Sequence, residues 1–169
     1  MTNRICFLSA PIGGDDSPQR GQYLDLCEIL RTVCETKGIE LTLVDPLHMT
    51  TNGEIIAQVV EQIKAAEYYI ADISGANPNV THEVGVRDCI KKPCTLICEE
   101  GADIPFNLRT RRILFYNFSK PPGMIQFQTK LKKLMRENLQ EEASTPVPQP
   151  TITDVIETLQ KLAAQSRAA

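Results

Sequence analysis

The sequence lacks the features that would place the protein in a membrane or on a nucleic acid. Its longest apolar stretches, such as residues 39–44, are far shorter than the roughly 20 residues that cross a bilayer. The start of the chain has no signal-peptide pattern, so we expect a soluble, cytoplasmic protein. Lysine and arginine (18) do not outnumber aspartate and glutamate (21), and the net charge of −3 argues against a polyanion-binding surface over the whole domain. We expect neither a membrane nor a nucleic acid as a partner.

Cysteine pairs with metal-binding spacing are also absent. The chain has six cysteines, which are Cys6, Cys27, Cys34, Cys89, Cys94 and Cys98. No two of them form a CxxC pair, and neither His48 nor His82 has ligand spacing to a cysteine. Five of the six lie among apolar residues of predicted strands or helices. We therefore predict no metal site and interpret the cysteines as buried free thiols in a reducing compartment.

What the sequence does have is a regular alternation of two hydrophobic periods. Short apolar runs, typical of strands covered on both faces, lie at residues 5–8, 41–44, 68–71, 94–98 and 113–116. Helical spacing of apolar residues occurs at 23–33, 54–66, 78–90 and 125–139. Strict alternation of strands and helices predicts an α/β fold, a doubly wound five-stranded parallel sheet with helices on both faces.

The composition changes at residue 140, which suggests a boundary. We predict one domain over residues 1–139, a proline-rich linker over 140–150 and an amphipathic helix over 151–169. The helix carries one apolar stripe, formed by Ile152, Val155, Ile156, Leu159 and Leu162. A lone helix of this length cannot bury that stripe by itself. We expect it to act in a homo-oligomer, or to contact a partner domain or begin a further module.

A ligand site in such a fold is expected at the carboxyl ends of the strands, where the strand order reverses. The first candidate segment follows strand one and contains Ser9, Pro11, Ile12, Gly13 and Gly14. Paired glycines let backbone N–H groups approach a ligand, and the helix that follows favours an anion. The segment is neither GxGxxG nor a P-loop, and a plain Gly-Asp turn is an equally good interpretation.

The second candidate segment follows strand three. Asp72 ends that hydrophobic strand, where a carboxylate cannot serve the core, and Asn77 is placed to cap the next helix. Glu83 lies one helical repeat after Asn79 on the same helix face, which aims Asp72, Asn79 and Glu83 towards one crevice. Two structural alternatives stay open: Asp72 closes a turn, and Glu83 pairs with Arg87 at i+4.

The third candidate segment, between strands four and five, is basic. It has three arginines in four residues, Arg109, Arg111 and Arg112. Such a group can hold a phosphate. A solvated basic loop that pairs with Glu99 and Glu100 is the alternative.

The middle segment carries a family resemblance. Residues 72–85, DISGANPNVTHEVG, resemble the signature of N-(deoxy)ribosyltransferase-like proteins. This superfamily includes nucleoside 2-deoxyribosyltransferases and deoxynucleoside-monophosphate N-hydrolases and is related in fold to TIR domains. Residues 7–14, FLSAPIGG, are similar to their first-strand loop, and residues 104–109, IPFNLR, resemble a stretch of bacterial TIR-like signalling and defence proteins. The resemblance covers roughly residues 4–118.

This resemblance implies a flavodoxin-like or TIR-like fold and assigns roles to residues. Glu83 occupies the position of the catalytic glutamate, and Asp72 that of the aspartate that contacts the ribose. The family usually has an aromatic residue directly before the glutamate, where this chain has His82. The substrate contacts that we expect around the two carboxylates come from Ser9, Pro11, Ile12, Gly13, Gly14, Ser74, Asn77, Asn79, His82 and Arg109.

The chemistry of N-glycosidic bond cleavage suits these residues. Positive charge develops at the anomeric carbon, where a carboxylate can stabilise it or attack. Most bases need a proton on departure, whereas the nicotinamide of NAD leaves as a neutral molecule. The one obvious acid, His82, lies about 100° around the helix from Glu83 and is expected to point elsewhere. This favours NAD as the substrate, with no further cofactor.

The leading hypothesis is thus a TIR-like NAD glycohydrolase of bacterial defence or signalling, whose activity requires assembly of protomers. One alternative is a nucleoside 2-deoxyribosyltransferase or deoxynucleotide N-hydrolase. The other is a module that senses nucleotides or acts as a scaffold without catalysis.

Overall fold

The structure, a computed structural model, describes residues 4–48 and 55–144. Strands and helices alternate along this part of the chain. Their bounds are β1 (Ile5–Ser9), α1 (Pro18–Cys34), β2 (Thr42–Val44), α2 (Ile55–Ala65), β3 (Tyr68–Asp72), α3 (Pro78–Cys89), β4 (Thr95–Glu99), β5 (Ile113–Tyr116) and α4 (Pro121–Ser144). Short 3-10 turns lie at Pro46–His48, Ser74–Ala76 and Phe106–Leu108, the last of them between β4 and β5.

The five strands form one parallel sheet in the order β2-β1-β3-β4-β5. The predicted fold class, a doubly wound parallel α/β sheet of the flavodoxin-like type, is confirmed. The chain moves from β1 to β2 on one side and then crosses to β3 on the other side, so the strand order reverses between β1 and β3. Ligands of such folds bind outside the carboxyl ends of the strands at this point. Ser9 and Ala71 are register partners there.

Two hydrophobic cores cover the two faces of the sheet. Helices α1 and α4 pack on one face, with side chains such as Leu30 and Phe127. Helices α2 and α3 pack on the other, with side chains such as Ile63 and Val84. Side chains of β3 alternate between the two cores: residues 68 and 70 belong to the α1/α4 face, and residues 69 and 71 to the α2/α3 face. This alternation determines where the residues at the end of β3 point.

The helix next to the switch point begins as the sequence predicts. The Asn77 side chain accepts hydrogen bonds from the backbone N–H groups of Asn79 and Val80, and Pro78 is the first helical residue. The Asn77 cap therefore sets the direction in which α3 leaves the sheet edge.

The structure covers only part of the predicted C-terminal region. Helix α4 continues to Ser144 and so includes the first residues of the predicted linker. Residues 145–150 and the predicted helix over 151–169 lie outside the described residues, and both stay predictions. None of the helices described, α4 included, could serve as a transmembrane span.

Candidate functional site

A cavity at the carboxyl edge of the sheet lies on the α2/α3 face. Its volume is about 530 Å³, within the range of small-molecule sites. Seven of the residues predicted to form the site line it: Pro11, Ile12, Gly13, Asn77, Asn79, His82 and Glu83. We call this space the Glu83 cavity. The structure thus brings the loop after β1 and the first two turns of α3 to one place.

Glu83 lies at the wall of this cavity. Glu83 is half-buried, and burial raises the pKa of its carboxyl group. The Ser9 hydroxyl bond and the charge of His82 act in the opposite direction on that pKa. An ionised carboxylate has about four acceptor positions, so a neighbouring hydroxyl group leaves oxygen lone pairs for a ligand.

Ser9 is itself bonded to a buried tyrosine. Ser9 and Tyr69 are both fully buried, and the Tyr69 hydroxyl donates to Ser9 Oγ over 2.7 Å. The Tyr69 ring is stacked against Phe7, with 6.3 Å between ring centroids and 7° between ring planes. Burial raises the pKa of the Tyr69 hydroxyl, so the phenol keeps its proton and stays a donor.

The sequence left open an ion pair between Glu83 and Arg87. In the structure Arg87 donates hydrogen bonds to the backbone. Its guanidinium is buried and donates to the carbonyl oxygens of Ile63 (2.7 Å), Ala66 (2.9 Å) and Pro93 (3.0 Å). It also lies 5.5 Å from the centroid of the Tyr69 ring. Arg87 therefore supports the end of α2 and the tyrosine behind the cavity.

The remaining walls of the Glu83 cavity are mainly apolar. Helix α2 contributes Ile56, Val59 and Val60. Among the described lining residues there is no lysine or arginine, and the titratable side chains are His82 and Glu83. His82, which we expected to point away from Glu83, is an exposed residue that also lines this cavity.

Asp72 lies in a different, smaller cavity on the α1/α4 face. This Asp72 cavity has a volume of about 190 Å³, and Pro11 lines it as well as the Glu83 cavity. Asp72 Oδ1 accepts from the Ser74 backbone N–H (3.1 Å) and hydroxyl (2.5 Å), and Oδ2 accepts from the Tyr116 hydroxyl (2.7 Å). Burial raises the pKa of the Asp72 carboxyl, and these hydrogen bonds lower it in part.

The expectation that Asp72 shares a crevice with Asn79 and Glu83 is therefore corrected. Asp72 follows Ile70 by two residues, so its side chain leaves the sheet on the α1/α4 face. The structural alternative that the sequence left open, a carboxylate closing a turn, describes its contacts with Ser74. Ser74 also accepts from the Glu99 backbone N–H over 2.8 Å, which ties the turn to β4.

Three predicted site residues, Ser9, Gly14 and Arg109, lie outside both cavities, and Ser9 is fully buried. The Gly14 carbonyl accepts from the backbone N–H (3.2 Å) and hydroxyl (2.7 Å) of Ser17, the residue that caps α1. Arg109 is exposed, and its Nε donates to the Ile104 carbonyl over 3.2 Å. Arg111 forms an ion pair with Asp88 of α3. For this residue, the alternative interpretation of the basic loop named Glu99 and Glu100 as partners instead.

Sequence reasoning missed Tyr69 and Tyr116. Their hydroxyl groups donate hydrogen bonds to Ser9 and Asp72, respectively. Both lie in apolar strands, where we treated them as core residues. A usable signal was present, because a buried tyrosine hydroxyl normally finds a hydrogen-bond partner. The polar residues at the ends of the neighbouring strands were the partners available.

Comparisons with known proteins identify no family. No family model matches the chain, and no curated protein matches it. Two similar solved structures are a lysine decarboxylase, LdcF, of Francisella novicida (13% identity, TM-score 0.48) and the TIR domains of the activated Roq1 resistosome that directly recognises the pathogen effector XopQ (12% identity, TM-score 0.46). The first match covers 82% of this chain and 18% of the decarboxylase chain; the second covers 96% and 98%. The fold assignment rests on the strand order and connections of this chain.

Proposed function

We propose that the protein cleaves the N-glycosidic bond of a nucleotide, with Glu83 as the group that acts at the sugar. The leading form of this proposal is a TIR-like NAD glycohydrolase with NAD as substrate. The observation that supports it is a half-buried glutamate at the wall of a mainly apolar cavity of about 530 Å³. Such a cavity suits a base and its ribose.

Glu83 would act when the bond between the anomeric carbon and nitrogen breaks. The electron pair of that bond leaves with the nicotinamide nitrogen, which becomes neutral, while positive charge develops on the sugar. The Glu83 carboxylate stabilises that charge or forms a transient ester with the anomeric carbon. Water then adds to the anomeric carbon and releases one proton, which gives ADP-ribose and nicotinamide.

The chemistry of the cavity favours a leaving group that needs no acid. Glu83 must be ionised to act at a developing cation, so it cannot also protonate a departing base in the same step. The apolar side chains of α2 suit an uncharged aromatic product such as nicotinamide. These two features support NAD over an ordinary nucleoside.

A second candidate follows from the position of His82. Because His82 lines the same cavity, it can give a proton to a departing purine or pyrimidine. This supports the alternative of a nucleoside 2-deoxyribosyltransferase or a deoxynucleotide N-hydrolase. The two candidates differ in whether turnover depends on an acid at residue 82.

The test is incubation of the full chain with NAD, nucleosides and deoxynucleoside monophosphates, with products identified by mass spectrometry. We expect nicotinamide from NAD, loss of turnover in Glu83→Gln, and retained NAD turnover in His82→Asn. Glu28→Gln, a change on an exposed position of α1, is the matched control and should be silent.

Two results would redirect the proposal. Base release from a nucleoside or deoxynucleotide that disappears in His82→Asn identifies the second candidate. Binding of a nucleotide without turnover of any compound in the panel indicates a sensing or scaffolding module.

A further inference from the structure

We infer that the outer edge of β5 is an interface at which a second copy of this chain pairs antiparallel with the first. The two β5 strands join the two five-stranded sheets into one, across a two-fold axis. No residue of β5 lines the Glu83 cavity, so this inference is independent of the proposed function.

Strand β5 is an edge strand that lacks the usual protection of such an edge. Among the described strands it has β4 as its one neighbour. Its residues, Ile113–Tyr116, include no proline, glycine or charged side chain, and Phe115 is 46% exposed. Proteins normally charge, twist or cover an edge strand, because an open apolar edge pairs with another strand. The opposite edge strand, β2, is three residues long, and Pro46 beyond it has no backbone N–H to donate.

The backbone of β5 determines which residues form the new pairs. The Tyr116 carbonyl accepts from the Glu100 backbone N–H over 2.9 Å, so the backbone groups of Tyr116 face β4. Because this direction alternates along a strand, the backbone groups of Leu114 also face β4, and those of Ile113 and Phe115 face outward. An antiparallel pair centred on Leu114 uses both outward residues. It places Ile113 opposite Phe115 of the second copy, and each such pair exchanges both of its backbone hydrogen bonds.

The same register matches the side chains on both faces of the sheet. Ile113 packs on the α2/α3 face, and Phe115, two residues later, lies on that face too. Each exposed Phe115 ring therefore packs on Ile113 of the second copy, and such aromatic–β-branched pairs stabilise antiparallel strands. On the α1/α4 face, Leu114 meets Leu114 of the second copy in a pair without hydrogen bonds.

The groove between β5 and α4 adds charge complementarity. Two cavities of about 440 and 210 Å³ lie along it, and both are lined by Ile113, Leu114 and Lys130. Arg112 lines the first cavity, before the start of β5, and Glu100 lines the second, at the end of β5. The two-fold axis at Leu114 brings Arg112 of each copy towards Glu100 of the other. Arg112 takes part in none of the ion pairs within the described residues.

The first test is sedimentation equilibrium of the full chain over a range of concentrations. The parent should associate reversibly. Phe115→Lys puts a charge on the edge and should weaken association at least about 10-fold. Leu24→Lys is the matched control, because Leu24 is also 46% exposed but lies on α1 and lines neither cavity of the groove.

The control should associate as the parent does. Association through the predicted helix over 151–169 would be the same in all three proteins. A parent that stays monomeric, or equal association of the parent and Phe115→Lys, overturns the inference.

The second test exchanges the charges at the two ends of β5. Arg112→Glu and Glu100→Arg each place like charges opposite one another, and each should weaken association by roughly 2- to 5-fold. The double variant has opposite charges at these positions again and should recover most of the parent's affinity. Further weakening in the double variant would overturn the antiparallel arrangement.

The third test reads the register directly, with Leu114→Cys in a Cys89→Ser background that removes an exposed native thiol. Cα atoms of opposite residues in a pair without hydrogen bonds are about 4.5 Å apart, within the range that a disulfide spans. Oxidised glutathione should therefore produce a covalent dimer. Phe115→Cys in the same background should not, because its opposite residue is Ile113. A covalent dimer of Leu114→Cys alone supports the pairing, and no dimer, or equal cross-linking of both variants, overturns it.

Discussion

Asp72 and Glu83, the two carboxylates at the carboxyl edge of the sheet, are both affected by burial but differ in their hydrogen bonds. Burial raises the pKa of both Asp72 and Glu83. Asp72 receives three hydrogen bonds from Ser74 and Tyr116, and these engage both of its oxygens. Glu83 lines a cavity almost three times as large, about 530 against 190 Å³.

This difference shows which property separates a reactive carboxylate from a structural one. A raised pKa is common to both, so it does not discriminate. What differs is the acceptor capacity left for a ligand and the space to accommodate one. By that criterion Glu83 fits the catalytic role that we propose for it, and Asp72 is placed to hold the turn that leads into α3.

The largest expected effect is the loss of turnover in Glu83→Gln. The amide keeps the size of the side chain and removes its charge, so we expect a fall of at least about 100-fold in kcat for NAD cleavage. Asp72→Asn should reduce kcat by less than about 10-fold, because Asp72 lies outside the Glu83 cavity. Steady-state assays by nicotinamide release measure both. Equal losses in the two variants would abolish the distinction between the cavities.

When the free energy of unfolding is measured instead of turnover, a change at Asp72 should have a larger effect than a change at Glu83. Asp72→Ala removes the acceptor of the Tyr116 hydroxyl and of the Ser74 backbone N–H, and we expect a loss of about 2 kcal/mol in the free energy of unfolding. Glu83→Gln should change it by less than about 0.5 kcal/mol, since the amide keeps the size of the side chain at a half-buried position. Urea denaturation at neutral pH gives both values. A larger cost at Glu83 would assign it a structural role.

The third comparison is between two glycines of the loop after β1: Gly13 lines the Glu83 cavity and Gly14 does not. Gly13 has φ +72°, and a Cβ there would lie 2.7 Å from Ser17 Oγ and 2.9 Å from Gln19 Cβ. Gly13→Ala must therefore shift the loop that lines the Glu83 cavity, and we expect roughly 10-fold weaker NAD binding, about 1.4 kcal/mol. Calorimetry in a Glu83→Gln background measures binding without turnover.

Gly14→Ala is the control for this change. A Cβ at Gly14 would have nothing within 4 Å, and Gly14 does not line the cavity. Its NAD affinity should match that of the parent. Equal NAD affinities for Gly13→Ala and Gly14→Ala would show that the loop after β1 is a simple turn with no role in binding.

The smallest expected effect is a pH dependence of stability from the buried carboxyl groups. Because the folded-state pKa of Asp72 is raised, the folded protein binds more protons than the unfolded chain between the unfolded and folded pKa values. The free energy of unfolding should therefore fall as pH rises through that window, by at most about 1.4 kcal/mol per pH unit for this group. Asp72→Asn should flatten the profile in urea denaturation series between about pH 4 and 7. A profile identical to that of the parent would remove Asp72 as the source.

The fold could be predicted from the sequence because its signal is local. Each strand is a short apolar run and each helix has its own period, so β1 to β5 and their parallel direction follow from alternation. The Asn77 cap was recognisable for the same reason. The placement of Glu83 on the Asn79 face of α3 also followed from helical spacing.

The site was predicted only in part because its remaining features depend on tertiary position. All five residues of β3 are buried, so the pattern gave no hint of which face receives Asp72. Tyr69 could not be distinguished from Tyr68 without the register that puts one beside Ser9 and the other beside Thr95. Propensity and spacing carry no information on such contacts between strands.

The fluorescence of the buried tyrosines can report on ligand binding at the Glu83 cavity and at the Asp72 cavity. The chain has four tyrosines and no tryptophan, so tyrosine emission is not masked. All four are buried with bonded hydroxyls: Tyr23 to Asp45, Tyr68 to Thr95, Tyr69 to Ser9 and Tyr116 to Asp72. Tyr69 lies behind the Glu83 cavity, and Tyr23 and Tyr116 line the Asp72 cavity. Single phenylalanine variants would therefore separate, by fluorescence alone, a ligand that enters one cavity from a ligand that disturbs the other.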